Sequence, residues 1–284
     1  MIQRFSKYGR LYLLAGLFIV NFCIWYAVND ESRTGLSISF LNVGQGDSIF
    51  IDAPSGNQVL VDGGPDRTVS REISKALPFY DRRIDLFVVS NTDKDHLAGL
   101  VDIMKKYRVG AVLEPGTFSN TAIYSEFEET IKESGIKKFI VHRGTVVDLG
   151  GGATIEVLFP DRDASGMKTN DGSLVVRLKY GKTSVMLTGD MPSTVENYLV
   201  SLGGDLKSDI LKVGHHGSRT STSETFLGYV SPKFAVISSG KNNSYGHPHK
   251  EVLDRLNQFA VNFFNTAEVG QISFFSDGEK FVKK

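Results

Sequence analysis

The sequence predicts an α/β domain made of layered β-sheets flanked by helices, and three observations support that prediction. The 284 residues are 41% hydrophobic and 23% charged, a composition that suits one or two globular domains and excludes a disordered chain. Strand-like segments outnumber helix-like segments by about two to one. The two kinds do not alternate regularly, which argues against a doubly wound Rossmann fold.

An uncharged segment at residues 11–28 predicts a single transmembrane helix. As a helix it would be about 27 Å long, close to the thickness of a hydrocarbon core. Basic residues precede the segment and acidic residues follow it, so the positive-inside rule predicts a cytoplasmic N-terminus and an extracytoplasmic remainder at the cell membrane. A cleaved signal peptide is the alternative, but the apolar run is long for one and lacks a small-x-small cleavage site. The flanking charges are Arg4, Lys7 and Arg10 before the segment and Asp30 and Glu31 after it.

Residues 36–284 contain no repeat, low-complexity stretch or linker, so we expect one domain there, behind a cytoplasmic N-terminus and anchor at residues 1–30. Apolar and β-branched runs predict strands, and amphipathic runs predict helices. The predicted strands are 37–43, 47–53, 58–64, 86–91, 111–115, 138–142, 153–159, 173–180, 184–190, 209–216, 234–240, 261–264 and 271–275. The predicted helices are 69–77, 97–107, 124–134, 193–202, 223–230 and 250–259.

Charge and cysteine content exclude two classes of protein. Thirty-two Lys and Arg balance 32 Asp and Glu, so no overall positive charge marks a nucleic-acid binder. The single cysteine, Cys23, excludes an intrachain disulfide and a cysteine-built zinc site. A local basic track near a cleft stays open, and its candidate residues are Lys207, Lys212, Arg219, Lys241 and Lys250.

Polar residues follow apolar strands at five places, where rigid strand ends would hold their side chains toward a shared cleft. Two adjacent histidines, His215 and His216, lie between glycines after one such strand. Two neighbouring imidazoles in a core would each need a buried partner, so packing explains them poorly. Five of the six histidines lie in these loops, namely His96, His215, His216, His247 and His249.

One loop, residues 91–96, offers four potential oxygen or nitrogen ligands in six residues, a density that suits a divalent metal. Each acidic residue has a structural alternative when taken alone. Asp95 could cap a helix that begins at Leu97, with His96 exposed in its first turn. Asp62 could be a turn residue, and Asp190 could cap the helix that follows it. The concentration of such residues favours the metal site.

These segments resemble the metallo-β-lactamase superfamily, and within it the hydrolase domains of ComEC-like competence proteins. Their order covers nearly all of the chain after the anchor. The resemblance implies an αββα sandwich, in which two facing sheets carry helices outside and a metal site lies at one edge. The matching segments are FLNVGQGDSIFID (40–52), VLVDGG (59–64), NTDKDHLAGL (91–100), NDGSLVVRL (170–178), VMLTGD (185–190), LKVGHHGS (211–218) and YGHP (245–248).

The resemblance also implies a ligand set, with two departures from the superfamily's H-x-H-x-D-H loop. Asn91 and Asp93 replace the first two histidines, and a neutral amide suits Mn²⁺ or Mg²⁺ better than zinc. Asp190 matches the bridging carboxylate, and one of His215 and His216, with His216 favoured, matches the ligand of the HHGS motif. The implied metal ligands are Asn91, Asp93, Asp95, His96, Asp190 and His216.

These ligands would form two half-sites of unequal strength for one or two divalent ions, with manganese or zinc expected. The stronger half-site is Asp95, His96, Asp190 and His216. The weaker half-site is Asn91, Asp93 and Asp190, helped by Asn170. The resemblance assigns catalysis to Asp95, His215 and His247, and ligand orientation or substrate contact to Asp62, Asn170, Ser173 and Ser218.

The leading hypothesis is a membrane-anchored metal-dependent hydrolase that cleaves phosphodiesters, with DNA among its candidate substrates. β-Lactam hydrolysis is disfavoured because the loop at residues 91–96 lacks the required histidines. The alternative is a metal-poor homologue that serves as a surface module binding DNA or an uptake partner. The sequence holds no channel-like series of membrane helices, so a role in DNA uptake would require a separate channel protein.

Overall fold

The computed structural model describes residues 2–30, 35–78 and 80–284. The chain divides into two compact units, Met1–Thr34 and Gly35–Lys284, and each is described by itself.

The first unit contains helix α1, Ile2–Asp30. Within it, Tyr8–Tyr26 has a mean hydropathy of 1.4 and is long and apolar enough to cross a membrane. Its described side chains are exposed, whereas a core helix would bury one face. The predicted orientation depends on Arg4, Lys7, Asp30 and Glu31, which lie outside the side chains that the structure describes.

The second unit contains two mixed β-sheets. In the first sheet the strand order is β15-β14-β1-β2-β3-β4-β5-β6, and in the second sheet it is β13-β12-β11-β10-β9-β8-β7. The strands of the first sheet are β1 (Leu36–Phe40), β2 (Ile49–Asp52), β3 (Gln58–Val61), β4 (Arg83–Val88), β5 (Arg108–Glu114), β6 (Lys137–Ile140), β14 (Ile272–Ser276) and β15 (Phe281–Lys283). The strands of the second sheet are β7 (Val146–Gly150), β8 (Ala153–Phe159), β9 (Val175–Tyr180), β10 (Thr183–Leu187), β11 (Ile210–Lys212), β12 (Phe234–Ile237) and β13 (Asn262–Asn265).

Three apolar clusters arrange these elements in four layers. One cluster fills the space between the two sheets and includes Phe40 and Val185. A second packs helices against the outer face of the first sheet, and a third packs helices against the second sheet. The αββα sandwich is therefore confirmed. The helices are α2 (Thr68–Ala76), α3 (Lys94–Met104), α4 (Ala122–Ser134), α5 (Ser193–Ser201), α6 (Glu224–Val230), α7 (Lys250–Gln258) and α8 (Thr266–Val269).

The structure corrects the sequence prediction mainly at the ends of elements. Two edge strands, β7 and β15, and the short helix α8 were not predicted, because short exposed edges carry little apolar pattern. The strand predicted at 184–190 ends at Leu187, and the one at 209–216 ends at Lys212. In both places the chain turns away from the sheet into a polar loop.

These turns bring the polar loops together. Strands β3, β4 and β5 run parallel in the first sheet, as do β10, β11 and β12 in the second. The carboxyl ends of parallel strands meet at one edge, and the loops that follow them carry the candidate residues.

The backbone is strained at the two adjacent histidines, in a 3₁₀ turn at Gly214–Gly217. His215 has φ 47° and His216 has φ 54°, both in the left-handed region that residues other than glycine rarely adopt. Each such residue costs on the order of 1–3 kcal/mol, so neighbouring contacts must hold it.

A buried carboxylate, Glu196 on α5, supplies much of that support. Its two oxygens accept hydrogen bonds from the backbone N–H groups of Thr222 (2.5 Å) and Ser223 (2.7 Å). Arg255 donates to the carbonyl oxygens of Ser221 (2.9 Å) and Thr222 (2.9 Å) from the opposite side. The segment after the histidines is therefore fixed to two helices.

We expect Glu196→Ala to lower the free energy of unfolding by about 2–3 kcal/mol, because the buried N–H of Thr222 and the half-buried N–H of Ser223 would lose their acceptor. Denaturant unfolding of the full chain in mild detergent measures this change. Glu129→Ala, which removes an exposed carboxylate from α4, is the matched control and should change stability by less than about 0.5 kcal/mol. Equal effects of the two substitutions would contradict the assigned role of Glu196.

Candidate metal centre

Four side chains from both sheets meet at the edge where the polar loops converge. One ligand atom from each of Asp95, His96, Asp190 and His216 lies within 4.8 Å of the others. Asp95 and His96 lie in the first turn of α3, Asp190 follows β10, and His216 follows β11. This is the set that the sequence predicts as the stronger half-site.

Both histidines direct Nε2 into the cluster. Nε2 of His96 lies 3.2 Å from Oδ2 of Asp190. Nε2 of His216 lies 3.2 Å from Oδ2 of Asp95 and 3.5 Å from Oδ1 of Asp190. The arrangement leaves one nitrogen of each ring facing the carboxylates, as a shared cation would require.

The other nitrogen of each ring has a buried partner outside the cluster. Nδ1 of His96 lies 2.9 Å from Oδ2 of Asp62, and that carboxylate also accepts hydrogen bonds from the N–H and hydroxyl of Ser90. Nδ1 of His216 lies 3.0 Å from the carbonyl oxygen of Ser238 and 3.3 Å from Oδ1 of Asp47. Asp62 thus contacts a candidate ligand directly and is more than a turn residue.

The chemistry of this donor set fits a divalent metal ion. Nε2 of His96 and Oδ1 of Asp190 are buried and have no hydrogen-bond partner among the residues that the structure describes. A buried polar atom without a partner is costly, and a cation placed between these atoms would remove that cost. Two imidazole nitrogens with two carboxylates suit zinc or manganese.

The electrostatics of the cluster also favour positive charge. Burial lowers the pKa of His96, but Asp190 and Asp62 outweigh it and raise that pKa well above the ordinary value. Burial likewise opposes protonation of His216, yet Asp190 and Asp47 raise its pKa to about 9. Burial disfavours ionised Asp190, but His216 and His96 hold its pKa well below the usual range.

A second group of possible ligands, Asp47, Asp62 and His96, lies behind the first. It fits a metal ion poorly, because Oδ2 of Asp47, both oxygens of Asp62 and Nδ1 of His96 are engaged with other groups. The ammonium group of Lys212 forms an ion pair with Asp47, and both oxygens of Asp62 accept hydrogen bonds.

The residues of the weaker half-site are hydrogen-bonded to one another. The amide of Asn91 donates to Oδ1 of Asn170 over 2.7 Å, and its oxygen accepts from the N–H of Asp93 over 2.9 Å. Oδ2 of Asp93 accepts from Thr169 over 3.0 Å. Burial raises the pKa of Asp93.

Two further histidines line the cluster. Nε2 of His215 lies 3.7 Å from Oδ2 of Asp190, and the ring of His247 lies 5.6 Å from that of His215. Burial lowers the pKa of His215, and burial together with His215 lowers the pKa of His247 to about 4. Both rings are therefore neutral near pH 7 and available as hydrogen-bond donors.

The structural alternatives for Asp95, His96 and Asp190 are wrong. Helix α3 begins at Lys94, with Asp93 rather than Asp95 at its N-cap position, and His96 is fully buried. Pro192, not Asp190, occupies the N-cap position of α5.

The serines differ in placement. The hydroxyl of Ser218 contacts Thr220 at 2.9 Å. The buried hydroxyl of Ser173 has no partner within the described part of the chain, and the Ser173 N–H donates to Asn170.

The predicted basic track requires correction at two positions. Lys212 is 1% exposed and belongs to the interior, not to a surface that contacts phosphates. Lys207 precedes β11 and therefore lies at the opposite end of the sheet from the cluster, which follows the carboxyl end of that strand.

Two residues near the cluster, Gln45 and Asp47, received no site role from the sequence, and Lys212 was predicted only as part of a basic track. Gln45 and Asp47 lie in the segment 40–52, and Lys212 lies in the segment 211–218. The sequence held a signal for Lys212, because a lysine that ends the apolar strand β11 has no evident surface role. Oε1 of Gln45 accepts from the N–H of Gly240 over 3.0 Å, while its amide nitrogen lies 3.4 Å from Nδ1 of His247.

Comparisons with known proteins identify the family of this fold. The profile described as the metallo-beta-lactamase superfamily matches residues 41–241. ComE operon protein 3 of Bacillus subtilis (strain 168) is 31% identical over 254 residues, covering 84% of this chain and 32% of that protein. Competence protein ComA of Neisseria gonorrhoeae is 30% identical over 246 residues, covering 84% of this chain and 32% of that protein.

A solved structure shows the same fold at low sequence identity. Igni18, described as a novel metallo hydrolase from Ignicoccus hospitalis, aligns with a TM-score of 0.55 and 12% identity, covering 84% of this chain and 98% of its own. The chain spans about a third of the length of the curated relatives named above. With the profile matching most of the sandwich, the chain belongs to the metallo-β-lactamase superfamily, whose members are generally metal-dependent hydrolases, and is related to its ComEC-like competence proteins.

Proposed function

We propose that this protein is a membrane-anchored, metal-dependent hydrolase of phosphodiesters. The observation that carries the proposal is the cluster of Asp95, His96, Asp190 and His216, whose ligand atoms face one another and include two buried atoms without a hydrogen bond in the described structure. These four residues would hold one divalent ion, with manganese or zinc as the expected metal.

One ion is proposed rather than two. The side-chain amide of Asn91 is engaged by Asn170 and Asp93, so it offers a metal only the remaining lone pair of an uncharged oxygen. Asp93 is similarly engaged by Thr169. The ligands of the weaker half-site thus satisfy one another, and the clamp of a two-metal hydrolase is not required.

The reaction would combine the metal with side chains already present. When bound, the ion supplies Lewis-acid polarisation of the phosphoryl group and lowers the pKa of an attacking water. Asp95, whose side chain is 34% exposed, is the ligand residue open to substrate and would accept a proton from that water. Asp62 would keep the ring of His96 oriented through Nδ1.

His247 and His215 would act on the substrate's charge. Because Gln45 can donate to Nδ1 of His247, the neutral ring would carry its proton on Nε2. From there it would donate a hydrogen bond to a phosphate or leaving oxygen. His215, beside Asp190, would do the same from the other side.

The relatives support a nucleic-acid context. Two curated relatives bear names of a competence operon or a competence protein. We propose DNA as the phosphodiester and an uptake system as the setting, with a separate channel protein as partner. Helix α1 would anchor the chain in the cell membrane, with the hydrolase domain on the extracytoplasmic side.

We expect Asp190→Ala to remove the metal and to lower turnover by at least about a hundredfold, since Asp190 contacts both histidines of the cluster. Elemental analysis and hydrolysis of a chromogenic phosphodiester, both on the full chain with added Mn²⁺, measure these effects. Asn91→Ala is the matched control and should retain about one ion per chain. Two ions in the unsubstituted chain would contradict the single-metal proposal, and no metal with either Mn²⁺ or Zn²⁺ would favour the binding module.

We expect His247→Ala to lower kcat by about a hundredfold while metal content stays unchanged, because it removes a hydrogen-bond donor without removing a ligand. Steady-state kinetics with parallel metal analysis tests this. His249→Ala, in which the neighbouring ring is removed, should keep a rate near that of the unsubstituted chain. Loss of metal in His247→Ala would refute the donor role.

We expect the full chain to stay in the membrane fraction after an alkaline wash. The double variant Leu14→Lys, Leu17→Lys should be released from the membrane by the same wash. Each lysine near the centre of a spanning helix costs about 2.5–3.5 kcal/mol. Tyr8→Lys with Tyr26→Lys adds the same charge at the ends of the segment, where lysine reaches the interface, and should not release the chain. Added protease should digest the hydrolase domain on intact cells, whereas protection would contradict the orientation.

A further inference from the structure

A buried lysine beside the cluster has no assigned role. Lys212 is the one lysine buried in the described part of the chain, and its side chain is 1% exposed. Its ammonium group forms an ion pair with Oδ2 of Asp47 and donates to the carbonyl oxygen of Gly189 over 3.1 Å. Burying an ammonium ion costs several kcal/mol unless its partners compensate, so the placement of this pair requires an explanation.

The partner, Asp47, is equally buried and approaches the cluster from the other sheet. Its side chain is 2% exposed, and it lies just before β2 of the first sheet, whereas Lys212 ends β11 of the second sheet. A side chain at Gly46 would collide with the carbonyl oxygen of Asp95, so this loop lies directly against the start of α3. The Asp47–Lys212 pair therefore joins the two sheets beneath the cluster.

The metal ligands are divided between the sheets in the same way. Asp95 and His96 follow β4 of the first sheet, whereas Asp190 and His216 follow β10 and β11 of the second. A centre assembled from two sheets needs a contact that fixes their spacing, since a misplacement of about 1 Å weakens such a site.

The Asp47–Lys212 pair contacts every one of the four residues. Its contacts with the first sheet are a hydrogen bond from the Asp47 N–H to the Asp95 carbonyl oxygen (3.3 Å) and an approach of Oδ2 to Nδ1 of His96 (3.9 Å). Oδ1 of Asp47 lies 3.3 Å from Nδ1 of His216. Nζ of Lys212 lies 4.0 Å from Oδ1 of Asp190.

We propose that Asp47 and Lys212 form a positioning pair, which holds the ligands of the two sheets at the spacing that one divalent ion requires. The proposal rests on the proposed metal centre. Both side chains are almost completely buried, and Oδ2 of Asp47 is paired with Nζ of Lys212, so we assign the pair to positioning the ligands and not to binding the ion or the substrate. The pair carries no net charge, so it orients the ligands without adding to the attraction for the metal.

We expect the double variant Asp47→Asn, Lys212→Met to bind Mn²⁺ ten- to a hundredfold more weakly than the unsubstituted chain, which is the usual effect of losing an outer partner of metal ligands. Removing both charges together leaves no lone buried ion, so the variant should fold. Isothermal titration calorimetry of the full chain in detergent gives the affinity, and denaturant unfolding in EDTA gives the stability without metal.

The matched control is Arg177→Met, which removes a buried cation from β9 in the same sheet. Arg177 pairs with Glu156 and Asp205, both of which retain solvent contact. It should lower stability and leave the affinity for Mn²⁺ unchanged. If the double variant does not fold, Asp47→Asn alone takes its place, and the same expected loss of Mn²⁺ affinity applies to it.

The outcomes separate this inference from the proposed function. An unsubstituted chain that binds no Mn²⁺ would overturn the metal centre and the positioning pair together. Binding by the unsubstituted chain and by Arg177→Met, with an affinity loss of less than threefold in the double variant, would overturn the positioning pair alone. An equal loss of affinity in Arg177→Met would also overturn it, because stability would then explain the effect.

Discussion

Attraction between buried carboxylates and cations at one edge of the sandwich is the interaction on which the rest of the site depends. Asp47, Asp62 and Asp190 are almost completely buried there, and Asp95 lies beside them. Isolated carboxylates would be too costly in such a place, so each must face a cation or a hydrogen-bond donor. Lys212, the two imidazoles of His96 and His216 and the expected metal ion face these carboxylates, which explains why the loops at this edge lie close together.

The same attraction accounts for the strained backbone at the histidines. His215 and His216 adopt left-handed conformations that no local preference would select. Their rings gain contacts with Asp190 in return, and the contacts of Glu196 and Arg255 hold the segment that follows them. Strain is tolerated here because helices on the outer face of the sheet fix the loop independently of any metal.

The sequence predicted the elements whose apolar residues recur with a clear pattern. Central strands such as β3 and β10 are buried throughout or nearly so and stood out clearly, whereas the exposed edge strands β7 and β15 did not. The stronger half-site followed from the order of the motifs. The pairing of Asp47 with Lys212 was not predicted, because the two residues lie far apart in sequence and only the packing of the two sheets brings them together.

The two half-sites differ through one side-chain amide. An imidazole at position 91 would offer one nitrogen to a metal and one to an outer partner, whereas Asn91 offers an oxygen that its own backbone neighbourhood claims through the Asp93 N–H. Its amide nitrogen then donates to Asn170. The two asparagine side chains therefore engage each other. These hydrogen bonds engage the side chains of the weaker half-site, whereas Nε2 of His96 and Oδ1 of Asp190 in the stronger half-site have no hydrogen bond in the described structure, and a cation between them would supply the missing contact.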